Sequence, residues 1–152
     1  MIETEKAYLA GLIDGEGYIG ILKVKKGNKK HFSSSRDYLY CPIFKVCMTD
    51  ETLIRWLVEN YGGTFSARRR SVNPNWKDAF DWVHRNAKCL TLLKEIYPYL
   101  RIKNKEVDIL IEFSKQNNGA GKPITDENWS IRDRLYSEIR KLHYRGDNTL
   151  RD

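Results

Sequence analysis

Asp14 and Glu16 stand one residue apart at the end of an apolar run, Tyr8-Leu9-Ala10-Gly11-Leu12-Ile13, with Gly15 between them and Gly17 after. The run reads as a short helix over residues 4–14. Thr4 can cap its start, and Glu5 lies in the first turn, where a negative charge meets the positive end of the helix dipole. Acids at the other end are electrostatically disfavoured. A bound cation removes that penalty, and two carboxylates beside an unused backbone carbonyl are the hard oxygen donors that Mg²⁺ prefers. The plainer alternative is a helix end with a glycine stop and two solvated acids. Glycine inside a helix costs about 1 kcal/mol relative to alanine, so Gly11 next to Ala10 calls for a compensating close approach by a second backbone. Gly15 and Gly17 then free the chain to leave the helix.

The elements that must hold these carboxylates follow a repeating order. After the first helix, Tyr18 to Lys25 alternates as a strand, and a polar connection from Gly27-Asn28 leads to a second strand from Tyr38 to Met48. Thr49-Asp50-Glu51 opens a helix that Gly62-Gly63 ends, Thr64 to Arg70 and Trp76 to His84 make a second strand pair, and Asn86 caps a helix stopped by Pro98. The sum is α-β-β-α-β-β-α, an α+β class in which two hairpins form one antiparallel sheet with helices packed on one face and the other face left free. A further helix carries Val107, Leu110, Ile111 and Ser114. A last one starts near Thr125 or Asp126 and turns Ile131, Leu135, Ile139 and Leu142 inward. Residues 1–152 read as a single domain with a core over 4–115 and a C-terminal helical extension over 122–146.

The formal charge of +7 is concentrated. Residues 23–45 carry seven Lys or Arg against Asp37 alone, and residues 68–85 carry five against two acids. Two basic blocks in corresponding places of the two hairpins favour a polyanion-binding surface over an ordinary solvated face. No apolar run is long enough to span a bilayer and no signal-peptide pattern opens the chain, so no membrane partner is expected. A soluble, intracellular protein is expected, in a prokaryotic cytoplasm or nucleoid or an organelle matrix. Cys41, Cys47 and Cys89 lack metal or disulfide spacing and read as three buried thiols. The three histidines read as structural.

The string Leu9-Ala10-Gly11-Leu12-Ile13-Asp14-Gly15-Glu16-Gly17 resembles the signature motif of the LAGLIDADG homing endonucleases. The resemblance continues through the helix ending Tyr61-Gly62-Gly63, through Trp82-Val83, and through Pro98-Tyr99-Leu100-Arg101-Ile102-Lys103-Asn104-Lys105. It implies the αββαββα fold with a saddle-shaped antiparallel sheet, and site-specific cleavage of a long pseudo-palindromic double-stranded DNA target by metal-dependent phosphodiester hydrolysis. With one motif in the chain, it implies a homodimer in which two copies of the first helix meet through Tyr8, Ala10, Gly11 and Leu12.

On the family pattern Glu16 is the principal metal ligand and the Gly15 carbonyl a second. Asp14 either caps the turn or joins the metal set. Lys103 stabilises charge at the scissile phosphate, with Arg101 and Lys105 flanking it. The ion is Mg²⁺; Mn²⁺ is expected to substitute and Ca²⁺ to bind without supporting cleavage. The polar residue that family members carry near the end of the second strand falls at Met48 or Thr49. The free sheet face and its loops supply the DNA contacts: Lys45, Ser66, Arg68 and Arg70 by alternation, and Lys23 and Lys25 on a strand whose parity is mixed. Lys29, Lys30, Arg36, Asn75 and Lys77 come from the loops. Two rivals stay open, an intron RNA-splicing maturase and a non-cleaving DNA-binding regulator of the same fold.

Overall fold

The computed structural model describes residues 1–25, 36–68, 75–116 and 123–144. Helix α1, Glu3–Glu16, runs straight into strand β1, Gly17–Lys25, which pairs antiparallel with β2, Tyr38–Met48. Helix α2, Glu51–Tyr61, leads to β3, Thr64–Arg68, and β4, Ala79–Arg85. Helix α3, Asn86–Ile96, passes through a 3₁₀ turn, Tyr97–Tyr99, to α4, Asn104–Ser114, and α5, Asp126–His143, follows. The strands form one antiparallel sheet in the order β1-β2-β4-β3, so the two hairpins meet at β2 and β4. The expected element order is therefore the observed one.

Strand register decides which side chains face the helices. Ile19 pairs with Phe44, and Val46 with Trp82. These four share a buried cluster with Leu9 and Ile13 of α1, Leu57 of α2, Leu93 of α3, Leu110 of α4 and Leu135 of α5. Side chains of the other parity, including Ile43, Ala79 and Val83, are also buried but lie outside that cluster, on the opposite face, as strand alternation requires. Each fully buried aliphatic or aromatic side chain contributes about 1.5–3 kcal/mol, so the helix side dominates the stability.

Helix ends follow local chemistry, with two departures from expectation. Asp50 accepts the Leu53 N–H at 2.9 Å, and Thr125 accepts the Asn128 N–H at 3.2 Å. In α1 the capping position is Ile2, not Thr4, and the Glu5 carboxylate reaches back to the Ile2 N–H at 3.0 Å. In α3, Asn86 is the first helical residue, not the cap; its φ of 56° lies in the left-handed region that asparagine tolerates. Gly62 and Gly63 end α2 with φ of 72° and 93°. A Cβ at Gly63 would lie 2.6 Å from His84 Nε2, so that position is closed to any larger residue.

The buried stripe of α5 runs through Trp129, Arg132, Leu135 and Ile139; Leu142, expected inward, is exposed. Because Trp129, Leu135 and Ile139 belong to the common cluster, α5 shares the core of the other helices. Only Cys89 is a buried thiol, pushed up to about 12 by burial. Cys41 and Cys47 have the parity of the helix-free face and are half-buried. Among the described residues no helix is long and apolar enough to cross a membrane.

His84 sits inside this packing, stacked on Phe44 with ring centroids 4.9 Å apart, and neither ring nitrogen has a hydrogen-bond partner. Burial holds its pKa below the ordinary 6.5. The unfolded chain therefore takes up the proton more readily, and stability is full above that value and falls as pH drops below it. Between about pH 7 and about pH 5.5 the wild-type melting temperature is expected to fall more than that of His84→Leu. Parallel melting curves for the two proteins would remove His84 as the cause.

Candidate functional site

The end of α1 is tied to the loop that enters α4. The Asp14 carboxylate accepts three backbone N–H groups: Arg101 at 2.7 Å, Lys103 at 3.1 Å and Ile102 at 3.3 Å. In return the Lys103 ammonium donates to the Asp14 carbonyl. The negative end of α1 thus meets the segment entering α4: an α1 carboxylate satisfies the amides of residues 101–103, of which Lys103 is the N-cap of α4, and the Lys103 ammonium meets an α1 last-turn carbonyl. Both Asp14 carboxylate oxygens take part in this tie, as a turn cap would. Gly15 does not release the chain as expected, since the helix continues to Glu16 and Gly17 forms the C-cap with φ −85°. A Cβ on Gly17 would sit 2.9 Å from Ile13 Cα, so the tight exit needs glycine.

Glu16 is exposed at the last position of α1. The Gly15 carbonyl, in the final turn, has no intrahelical donor available. Among the described residues no three His, Cys, Asp or Glu side chains gather as a self-sufficient metal cluster. Glu16 and the Gly15 carbonyl instead make a partial set of hard oxygen donors. Such a set fits Mg²⁺, which keeps several waters and binds through one or two carboxylates plus phosphate oxygens. Arg101 and Lys105 are exposed on either side of Lys103. Met48 packs against the helix-side core, and Thr49 next to it is exposed.

The helix-free face carries Lys45 and Cys47 on β2, Ser66 and Arg68 on β3, and Asp81 and Arg85 on β4. Lys45, Ser66 and Arg68 are where alternation put them. Lys23 and Lys25 are not on this face: they share the parity of Ile19 and Ile21, and the Lys23 ammonium lies 3.9 Å from the centre of the Tyr38 ring. Beyond Ile21 the strand outruns the aliphatic core, and tyrosines stacked against α5 receive the cation instead. Arg36 is likewise drawn to the helix side, 3.8 Å from Asp133 of α5. Asn75 and Lys77 are exposed ahead of β4, whereas Lys29, Lys30 and Arg70 lie outside the described residues.

Sequence reasoning passed over Asp81, although its place between Phe80 and Trp82 was a sufficient signal. An acid with that parity must lie on the free face among the cations. Its carboxylate takes the Arg68 Nε–H at 2.7 Å.

The outer face of α1 is open. Thr4, Ala7, Tyr8, Gly11 and Gly15 are exposed, and a Cβ built at Gly11 or Gly15 meets nothing within 4 Å. Ala10, expected on this face, is wholly buried against the core and has no surface to offer; Leu12 is half-buried. Tyr8, Thr4 and Glu5 border a groove of about 420 Å³ with Leu53, Trp56 and Tyr61 on its far wall.

No family model and no curated protein sequence matches the chain. Solved structures do. The homing endonuclease I-CvuI, in complex with its target and Ca, superposes with a TM-score of 0.71 at 17% identity, over 95% of this chain and 85% of that one. The archaeal intron-encoded homing endonuclease I-Vdi141I, complexed with DNA, gives 0.70 at 16% identity over 98% and 90%. The LAGLIDADG homing endonuclease I-LtrWI, bound to target DNA, gives 0.59 at 16% identity, over 91% of this chain and 45% of that one. These likenesses speak for architecture, and by that measure the chain is built on the LAGLIDADG homing endonuclease fold.

Proposed function

We propose that the protein is a site-specific, metal-dependent double-strand DNA endonuclease that acts as a homodimer. The observation that carries this reading is the tie at Asp14. It commits one motif carboxylate to structure, leaves Glu16 free at the helix end, and brings Lys103 back against that same end. Two solved neighbours of this fold, I-Vdi141I and I-LtrWI, are bound to DNA. A single copy of this chain matches less than half of I-LtrWI, which supports two copies of this chain on one duplex.

In the proposed dimer the exposed stripe of α1, with Tyr8, Gly11 and Leu12, meets its symmetry mate. Each Glu16 then lies near the two-fold axis. Phosphates of opposite strands approach each other across a minor groove only about 6 Å wide, so two such sites can each serve one strand. Glu16 and the Gly15 carbonyl would hold the divalent cation. When bound, that cation supplies charge neutralisation and an activated water; Mg²⁺ is the expected ion, Mn²⁺ a substitute, and Ca²⁺ a binding ion without cleavage. Lys103, fixed by its bond to the Asp14 carbonyl, places a positive charge toward the phosphate as negative charge develops there. The helix-free face, with Lys45, Ser66 and Arg68, lies along the flanking major groove, which admits a β-ribbon. Asn75, Lys77, Arg101 and Lys105 would reach the backbone.

Three outcomes are expected. Glu16→Gln should keep DNA binding while Mg²⁺-dependent cutting of a plasmid bearing the gene's uninterrupted insertion site falls by about a hundredfold or more. Cutting at the wild-type rate would refute the ligand assignment. Asp14→Ala should lose about 1–3 kcal/mol of stability with its hydrogen bonds, read by thermal melting, and should slow cleavage more than it weakens binding. Gly11→Leu should shift sedimentation from dimer toward monomer; an unchanged profile argues against contact through this stripe.

A further inference from the structure

Ile102 is, among the described residues, the most exposed large apolar side chain, at 71%. It is not loosely placed. Its own N–H donates to Asp14, and so do the N–H groups of Arg101 and Lys103 on either side. A single exposed apolar residue is ordinary, but this apolar knob, set on a fixed backbone, has a matching hole. The hole is the groove of about 420 Å³ between α1 and α2, with Tyr8, Leu53, Trp56 and Tyr61 on its walls. Edge-on ring contacts order it, Tyr8 to Trp56 at 6.3 Å and Trp56 to Tyr61 at 5.5 Å. Even so, Tyr8 and Trp56 remain 47% and 39% exposed.

Helix geometry decides how knob and hole are related. At about 100° per residue, Tyr8 lies about 60° to one side of Gly11 on α1, and Asp14, which anchors Ile102, about 60° to the other. Groove and knob therefore flank the open stripe on opposite sides. When two copies meet through that stripe with both Glu16 at the same end, the two-fold axis runs roughly along the helices. Half a turn about such an axis sets the Asp14 flank of each copy against the Tyr8 flank of the other. An axis across the helices would set each flank against its own kind. Height agrees as well. Tyr61 neighbours Glu5 and Trp56 meets Tyr8, so α2 runs antiparallel alongside α1, with Leu53 nearest the motif end. Charge agrees too: residues 1–12 and 50–61 carry five acids against two cations, whereas Ile102 stands among Arg101, Lys103 and Lys105. We propose that Ile102 of each copy seats in the α1–α2 groove of a second copy, against Leu53 and Trp56. This contact lies outside the α1 stripe, and it rests on the homodimer of the proposed function.

The test is a double-mutant cycle on the dimer, read by sedimentation of the purified full chain without DNA. Wild type, Ile102→Ala, Trp56→Ala and the double variant are compared. Ile102 is a surface residue of the single chain, so truncating it spares the fold even if Trp56→Ala does not. Where Trp56→Ala fails to melt cooperatively, Leu53→Ala takes its place in the cycle. Ile102→Ala is expected to raise the dimer dissociation constant about tenfold, the scale of one buried aliphatic side chain. Trp56→Ala should raise it at least as far, and the double variant little beyond the larger single, because the two share one contact. Fold-changes that multiply would overturn the inference, and so would an Ile102→Ala dimer as tight as wild type. A wild-type dimer that responds to Gly11→Leu and not to Ile102→Ala keeps the homodimer and removes this contact alone. A wild type that stays monomeric throughout the concentration series would overturn the homodimer and this inference together.

Discussion

The Asp14 carboxylate holds the molecule's working end together. Helix termini leave orphan carbonyls at one end, and here the last turn of α1 is met by the segment that enters α4. The amides of residues 101–103, leading into α4, converge on a side chain from the last turn of α1, and the Lys103 ammonium returns to the Asp14 carbonyl. Two helices remote in sequence thereby share one junction. An acid at a helix C-terminus suggested a cation on electrostatic grounds, and for Asp14 the compensation comes from the protein's own backbone. Glu16, two residues on, receives no such help, and on the proposed reading that asymmetry leaves it as the carboxylate available for chemistry.

The sheet divides the remaining labour by parity. On its helix side, Phe44, Trp82 and His84 interlock with aliphatic side chains from the helices. On its other side lie Lys45, Ser66 and the Arg68–Asp81 pair. Lys23 shows how strict this division is: one residue further along the strand would have placed it among the free-face groups. Instead it sits on Tyr38, whose hydroxyl, like that of Tyr40, donates to Asp133 of α5. The basic block of the first hairpin therefore serves two ends. Part of it braces α5 against the sheet edge, and only Lys45 among its described members lies on the free face.

Much of the fold was legible in the chain because its signals are local. Alternation located β1 and β2 almost to the residue, and Gly62-Gly63 marked the end of α2 because two successive left-handed residues admit little else. Most of what escaped depends on partners distant in sequence; the start of α1 is a local exception. Thr4 had the chemistry of a cap, yet the helix begins earlier because the Glu5 carboxylate captures the Ile2 amide. Leu142 fitted an apolar stripe, but the stripe that is buried passes through Arg132, whose guanidinium packs over Phe113 and so substitutes for an aliphatic residue. At the candidate site, Lys45, Ser66 and Arg68 followed from alternation alone. Ala10 did not, because a small residue beside a glycine looks the same whether it faces the core or a partner. Asp81 was passed over because an acid within a basic surface reads as a charge defect until its arginine is seen.

The glycines of α1 carry the argument one step further. Gly17 has an internal reason, since any side chain there collides with the preceding turn. Gly11 and Gly15 have none: their backbone is helical and the space around them is empty. Each costs about 1 kcal/mol against alanine, and nothing among the described residues returns it. On the proposed reading, a helix that keeps two such residues on one exposed stripe, next to Tyr8 and ahead of Glu16, is shaped by a neighbour outside the chain. A second copy of α1 at Gly11 and a nucleic-acid backbone near Gly15 would each use the absent Cβ, the first for close helix packing and the second for access to the Gly15 carbonyl. On the proposed reading both demands fall on the same helix face.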